Sequence, residues 1–366
     1  MTDQSRRRFI AGAASALALA PLISTSKSRA QARDSMRKIG FAICGLGGLS
    51  EHSIAPAFAN SKYCRLTGLI TGSPEKAGPW RAKYNIPARS VYSYETMHRM
   101  ADNPDIDAVW IVTPNALHAD HTIACAKAGK HVICEKPLEV SVERCQQMID
   151  VCKAEKRVLA TAYRCQFDPL HLECMRLARD KVFGGVRVVE AAFEIALGGA
   201  DQWRLKHSLS GGGALMDVGV YALQATRYLT GEEPVLVTGT ETKTDPVRFK
   251  EVDETMVWTA KFPSGAVAYC STSYNLPGVN RVRASAEKGW FEMDPAFGFV
   301  GNRGHRSDGQ AMKFADIDPM AVQMDDLALC IREQRPSKVP GEEGMCDVRI
   351  MLAIYESART GKAISI

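Results

Sequence analysis

Four short stretches carry residue types that could do chemistry. In FAICGLGGLS, residues 41–50, a turn of Gly45, Leu46, Gly47, Gly48 and Leu49 follows an apolar run. Glycine at 45 permits a tight turn. Glycine at 47 lets the backbone approach a pyrophosphate, which would sit at the N-terminus of the next helix. The third glycine position of the GxGxxG fingerprint holds Ser50, so the turn alone could belong to any βα unit. Placed after the first strand of an alternating pattern, it points to a dinucleotide. In LITGSPEK, residues 69–76, Thr71-Gly72-Ser73 stands where an NAD enzyme carries Asp or Glu for the ribose 2′-hydroxyl. No carboxylate there repels a 2′-phosphate, and Ser73 and Lys76 can bond to one. That favours NADP, although Ser73 is equally placed to cap a helix starting at Pro74.

The remaining stretches are TPNALH, residues 113–118, with Asn115 and His118, and CEKP, residues 134–137, with Glu135 and Lys136. Both leave the carboxyl ends of apolar runs, where open α/β sheets bind ligands. A lone lysine there is by default a solvated surface residue. Pro137 sets this one apart, because it fixes the turn and can take the cis form.

The elements that must position these groups alternate. Residues 38–44, 65–70, 108–112, 131–134 and 158–162 read as buried strands, with helical patterns at 74–84, 94–101, 118–128 and 141–156 between them. Ser141 is placed to cap the last of these helices. The alternation predicts a parallel sheet with helices on both faces over about 38–162. Beyond it, helical patterns at 170–180 and 214–229 accompany strand patterns at 186–194, 235–244, 254–262, 266–273 and 282–286. Two helices, 322–332 and 342–360, close the chain. The expected fold class is α/β: an N-terminal Rossmann dinucleotide-binding domain, then a C-terminal α+β domain with a large open, mostly antiparallel sheet. A glycine-rich loop, 198–213, is expected over the site.

The leader sets expectations of its own. Ser5-Arg6-Arg7-Arg8-Phe9-Ile10 precedes an apolar stretch too short to span a bilayer, and Ala30-Gln31-Ala32 has the form of a cleavage site. The pattern resembles a twin-arginine export signal; the alternative is an ordinary secretory signal. The expected segments are 1–32 signal, 33–162 nucleotide domain and 163–366 substrate and oligomerisation domain. Without the leader's five basic residues and one acid, the 46 basic and 41 acidic side chains fall to 41 and 40. The near-neutral balance does not call for nucleic acid or a membrane as partner. All 11 cysteines follow the leader with no zinc spacing, so no metal is expected. A protein folded before export from a reducing compartment would contain few or no disulfides.

TPNALH, EKP, YRCQFDP (163–169), QWRL (202–205), GGGALMDVGVY (211–221) and PGEEG (340–344) together resemble the glucose–fructose oxidoreductase/inositol dehydrogenase family, Gfo/Idh/MocA. The more specific motifs resemble the branch that holds the glucose–fructose and aldose–aldose oxidoreductases. That resemblance implies export by twin-arginine signals and NADP held without release. It places Lys136 beside the nicotinamide and the substrate. The family's Asp-x-Gly-x-His motif here reads Asp217-Val218-Gly219-Val220-Tyr221, with tyrosine replacing the acid/base histidine as in that branch. A free tyrosine is a poor base at neutral pH, and a nearby cation favours its phenolate. The implied roles are Tyr221 as acid/base, Lys136 as electrostatic tuner and hydroxyl orienter, and Asp217 as acceptor from a substrate hydroxyl. The likeness also assigns Asn115, His118, Glu135, Arg164, Trp203 and Arg204 to the cofactor, with Arg164 touching sugar as well; His118 could instead simply start a helix.

The implied reaction is oxidation of an aldose at C1 to its lactone and reduction of a second sugar to a polyol, in ping-pong fashion on tightly bound NADP in the periplasm. Two enzymatic alternatives stay open: an NADP-dependent aldose dehydrogenase with exchangeable cofactor, and an NAD-assisted glycosidase of the same fold. A sugar-sensing binding protein is the non-enzymatic one. The open sheet face is expected to be covered in a homo-oligomer.

Overall fold

The computed structural model describes residues 37–366. The signal reading of residues 1–32 falls outside the described residues. The first sheet has six parallel strands in the order β3-β2-β1-β4-β5-β6: β1 Ile39–Cys44, β2 Cys64–Ile70, β3 Val91–Tyr92, β4 Ala108–Ile111, β5 His131–Cys134 and β6 Leu159–Thr161. This is the doubly wound order of dinucleotide-binding folds. β1 is buried on both faces. Ile39, Phe41 and Ile43 enter one core cluster, and Ala42 and Cys44 enter the other.

Helix α1, Pro74–Tyr84, lies on the first face; α2, His118–Lys127, and α3, Val142–Ala154, lie on the second. Ser141 caps α3 through an Arg144 N–H···Oγ bond of 3.2 Å, as the sequence predicts. The helix expected at 94–101 does not form. Ser93 and Thr96 exchange backbone-to-hydroxyl bonds of 2.9 and 3.2 Å, an alternative to helical pairing. Only a 3₁₀ segment, Met97–Asp102, follows.

The second sheet has eight strands in the order β13-β12-β11-β7-β10-β9-β8-β14. They are β7 Val186–Glu194, β8 Leu236–Thr242, β9 Thr255–Lys261, β10 Val267–Ser273, β11 Asn280–Ala286, β12 Gly289–Met293, β13 Gly304–Arg306 and β14 Ile364–Ser365. β7 and β10 pair in parallel and the other pairs are antiparallel. Strands β3, β12, β13 and β14 lack a sequence signal because two to five residues show no periodicity. One face packs against helices α4, Pro169–Arg179, α5, Val220–Thr230, and α7, Gly341–Thr360. The other is open: on β9, Met256, Trp258 and Ala260 point inward while Val257, Thr259 and Lys261 are exposed.

Helix α6, Pro319–Glu333, returns from the C-terminal part of the chain to the first sheet. Its Met320, Met324 and Leu327 join Phe41, Ile43 and Trp110 in one core. The Asp168-Pro169 and Asp318-Pro319 pairs start α4 and α6 alike: the carboxylate accepts two backbone N–H bonds and proline takes the first helical position. PGEEG also has a structural use. Glu343 Oε2 accepts from the buried Arg227 of α5 at 3.2 Å, and Arg227 bonds Asp347 of α7 at 2.8 Å, so α5 and α7 are pinned together.

All eleven cysteines are free, and ten of them are buried. Denatured protein should therefore titrate eleven thiols with a chromogenic thiol reagent, before and after reduction alike. A lower count before reduction would contradict this packing.

Candidate active site

The turns that leave the carboxyl ends of β1, β2, β4, β5 and β6 carry most of the candidate residues. After β1, Gly45 has φ +102°, and a Cβ there would stand 2.8 Å from Val112 O. Only glycine fits both demands. Gly47 and Gly48 are exposed, and a Cβ on Gly47 would meet nothing within 4 Å. This is the open cradle a pyrophosphate requires. Leu46 is buried beneath the turn and Leu49 is half-buried. Ser50 explains the imperfect fingerprint: its buried hydroxyl donates 2.6 Å to Gly45 O and closes the turn from inside.

After β2, Ser73 stands at the N-cap position of α1 but makes no capping bond with its half-buried side chain. Lys76 reaches back, its ammonium 3.4 Å from Leu46 O. The two side chains thus stand beside the phosphate turn with no carboxylate between β2 and Lys76 other than Glu75.

After β4, Asn115 is buried and donates 2.8 Å to Ser210 O, tying this turn to the glycine-rich loop. His118 is enclosed at 0% exposure. Its ring faces Thr113 O at 2.9 Å and Pro137 O at 3.0 Å. Burial drives its pKa down to about 4, against the carbonyls that favour the charged ring. His118 therefore cannot touch a cofactor; it is a strut between the two turns. Glu135 is also turned inward, 7% exposed, accepting from Trp110 Nε1 at 3.0 Å.

Lys136 points the other way. It alone of residues 132–139 is not buried, and its bond to Pro137 is cis. Its ammonium donates 2.9 Å to Asp217 Oδ1 and 2.5 Å to Asp217 O. Burial opposes its charge, but Asp217 outweighs that and holds the lysine above its ordinary pKa.

Asp217 and Tyr221 come from the segment predicted as a single helix. The structure divides it into a π-helical turn, Leu215–Gly219, and α5. Such wide turns recur at functional sites. Among residues 212–227, only Asp217 and Tyr221 are not buried. The preceding glycines serve packing, since a Cβ on Gly213 would lie 2.0 Å from Asp253 O. The buried Asp253 carboxylate accepts from Gly213 N at 2.5 Å and Leu215 N at 2.8 Å, fixing the segment's start. Asp253 has no sequence signal, because its partners are backbone groups forty positions away.

Asp217 Oδ2 accepts from Arg204 Nε at 2.8 Å and from Tyr274 Oη at 2.9 Å. Three side-chain donors thus occupy most of the four lone-pair sites of a carboxylate. Burial pushes its pKa up, but Lys136 and Arg204 overcome this and hold it well below the usual carboxylate range. Its first task here is to anchor cations, not to receive a sugar hydroxyl as expected. Tyr274, at the end of β10, has no sequence signal either; its place is set by sheet register.

Tyr221 is ringed by aromatic groups and cations. Phe193 and Phe297 lie 5.5 and 5.8 Å from its ring. Lys136 Nζ is 5.0 Å and the Arg164 guanidinium 4.7 Å from its centroid. Arg164 is only 4% exposed and turned from solvent. Trp203 is half-buried and carries Arg204 on its ring face at 4.5 Å. The glycine-rich loop thus closes on the site through Arg204 and Ser210. A separate cavity of about 710 Å³ begins at the amino ends of β5 and β6, near His131 and Leu159, and includes none of these residues.

The Gfo/Idh/MocA oxidoreductase model, described as an NAD-binding Rossmann fold, matches residues 39–163, and the model of that family's C-terminal domain matches residues 171–292. The chain belongs to the Gfo/Idh/MocA oxidoreductase family. The D-xylose 1-dehydrogenase (NADP(+)) 2 of Haloferax volcanii is 32% identical over 89% of this chain and 99% of its own length. The D-xylose 1-dehydrogenase [NADP(+)] of Haloarcula marismortui is 29% identical over 90% and 93%. The crystal structure of aldose–aldose oxidoreductase from Caulobacter crescentus, complexed with glycerol, has TM-score 0.87 and 41% identity over 90% of this chain and all of that one. In this oxidoreductase the exposed cradle after β1 fits a dinucleotide, and Lys136, Asp217 and Tyr221 lie together at the turn after β5.

Replacing Asp217 by Asn leaves two cations without their anion, so the Asp217→Asn variant should lose roughly 3 kcal/mol of stability in urea unfolding at pH 7. The folded pKa is depressed, so the carboxylate's contribution is full above about pH 4, the unfolded value. It is lost as pH falls toward the folded one. The deficit should therefore shrink in acid. A deficit that grows below pH 4 would contradict the assigned charge states.

Proposed function

We propose that this oxidoreductase oxidises an aldose at C1 to its lactone and reduces a second sugar to a polyol, with NADP staying bound between the two half-reactions. The observation that carries this reading is a tyrosine phenol flanked by two cations, Lys136 and Arg164, with Lys136 locked on Asp217. It stands in a chain 41% identical to aldose–aldose oxidoreductase over nearly its whole length. A nicotinamide nucleotide, when bound, supplies the centre that takes a hydride from the first sugar and gives one to the second.

The chain's own residues handle the proton. In the oxidative half, the sugar's C1 hydroxyl gives its proton to Tyr221 Oη; in the reductive half, Tyr221 returns it to the oxygen of the second sugar's carbonyl. Lys136, fixed by Asp217, orients that hydroxyl. Ser73 and Lys76, with no acid directly after β2, favour a 2′-phosphate and hence NADP. Residues 33–162 act as the nucleotide module and residues 163–366 as the sugar and assembly module. A second copy covers the open sheet face, where Val257, Val267 and Tyr269 are exposed.

The leader fits this cycle. Outside the cytoplasm a nicotinamide enzyme has no dependable pool of free NADP, so the nucleotide must be inserted before export, and export by the twin-arginine route admits a folded cargo. A second reading, a dehydrogenase with exchangeable cofactor, draws support from the two D-xylose 1-dehydrogenase relatives.

Adding one aldose to purified, dialysed protein should raise the reduced-nicotinamide absorbance band to about one equivalent, and a second sugar should discharge it. Protein that is empty after dialysis, and active only with added NADP, would favour the exchangeable dehydrogenase. The Lys136→Ala and Tyr221→Phe variants should keep the nucleotide and lose at least ~100-fold in turnover. Unchanged rates would reject the assigned roles.

A further inference from the structure

Two cations flank Tyr221, but only one is bonded to its oxygen. The Lys136 ammonium is engaged by the carboxylate and the backbone carbonyl of Asp217. Arg164 Nε donates 3.2 Å to Tyr221 Oη. The rest of the guanidinium is fixed: Nη1 donates 2.8 Å to Gly298 O, and Nη2 donates 2.5 Å to Phe297 O. The group is layered between two rings, 4.7 Å from Tyr221 and 4.5 Å from Phe299.

Two features go beyond packing. Arginine has only donors, so Tyr221 Oη must act as acceptor toward it. The phenol proton, when present, is then excluded from that direction. Arg164 is also a cation 4% exposed with no carboxylate in ion-pair distance among the described residues. Its electrostatic neighbours are Tyr221, the buried Cys165 thiol and the buried Glu135 carboxyl, and burying a charge is costly unless such groups offset it. Of these three, Tyr221 is the one whose side chain accepts a hydrogen bond from the guanidinium.

We propose that Arg164 is the positioning residue of the acid/base phenol: its Nε–H holds Tyr221 Oη as an acceptor, aims the phenol proton into the cleft and serves as buried counter-ion to the phenolate. This rests on the reading of Tyr221 as acid/base. In the oxidative half-reaction the sugar hydroxyl's proton passes to the phenolate oxygen, forming the O–H of the phenol. The C1–H bond breaks with its electron pair, which leaves as hydride to the nicotinamide, and the C1–O bond becomes a carbonyl. In the reductive half each transfer runs backward, and the phenol again becomes phenolate. Arg164 stays charged throughout and exchanges no proton. The charged and titratable groups around the phenol are Lys136, Arg164, Glu135 and Cys165 behind these two cations and, through Lys136, Asp217 with Arg204; Phe193 and Phe297 complete its wall.

The test compares Arg164→Met, which keeps much of the stem and removes charge and donor, with Arg164→Lys, which keeps charge and loses the fork. Both are measured as purified with bound nucleotide, over the full pH–rate profile of aldose oxidation. Arg164→Met should lower kcat about 100-fold at neutral pH, with KM changed less than about threefold and the acid limb moved at least one pH unit upward, so that raising pH recovers rate. Arg164→Lys should lie between it and the parent. Ultraviolet difference titration of tyrosinate, with Tyr221→Phe as the blank, should move in the same direction. A loss that is the same at every pH, with an unmoved tyrosinate titration, would overturn the proposal and leave Arg164 a loop tether. Should Arg164→Met not fold, the profile of Arg164→Lys decides by the same criteria. Full activity in Tyr221→Phe would instead overturn the reading of Tyr221 itself, whatever the arginine variants do.

Discussion

Asp217 binds three elements that approach the site from different directions. Through Lys136 it holds the turn after β5; through Arg204, the glycine-rich loop; through Tyr274, the end of β10. A carboxylate in this mostly buried setting would be expensive by itself. Two cations and a hydroxyl offset that cost, and the same contacts direct Lys136 across the ring of Tyr221. Remove the negative charge, and both cations repel with nothing between them. Geometry and electrostatics at this site are therefore a single constraint.

The fold supplies the rigid frame for that constraint. The parallel sheet presents five turns along one edge, and the second sheet packs α5 so that the π-helical turn before it faces the same edge. The site is precise because its supports are buried: His118 bridges the turns after β4 and β5, Asp253 fixes the start of the π-turn, and Ser50 closes the phosphate turn. None of the three faces the cleft, yet each sets where a cleft residue stands. Arg164 belongs with them in burial but differs in acting on the phenol oxygen itself.

Similar motifs read from sequence thus divide by direction of side chain. EKP sends Glu135 down to Trp110 and Lys136 up to Asp217, because adjacent residues leaving a strand face opposite sides. GGGALMD looks like a ligand loop, but its glycines are there because Asp253, Tyr355 and Val140 crowd them. The helix expected at 94–101 fails for a local reason, competition from Ser93 and Thr96, whereas the short edge strands escape notice because pairing partners, not their own residues, define them.

Much was determined by the sequence alone. The alternating strands and helices, the glycine turn after β1, the missing acid after β2, and the candidate pair Lys136 and Tyr221 are local patterns or motifs, and local patterns survive as text. Tertiary structure alone decided that Asp217 is an anchor, that His118 is sealed away, that α6 completes the first sheet, that Arg164 bonds the Tyr221 oxygen, and that Asp253 and Tyr274 join the site. Those outcomes depend on burial and on contacts between residues tens of positions apart, and a linear pattern carries no record of either.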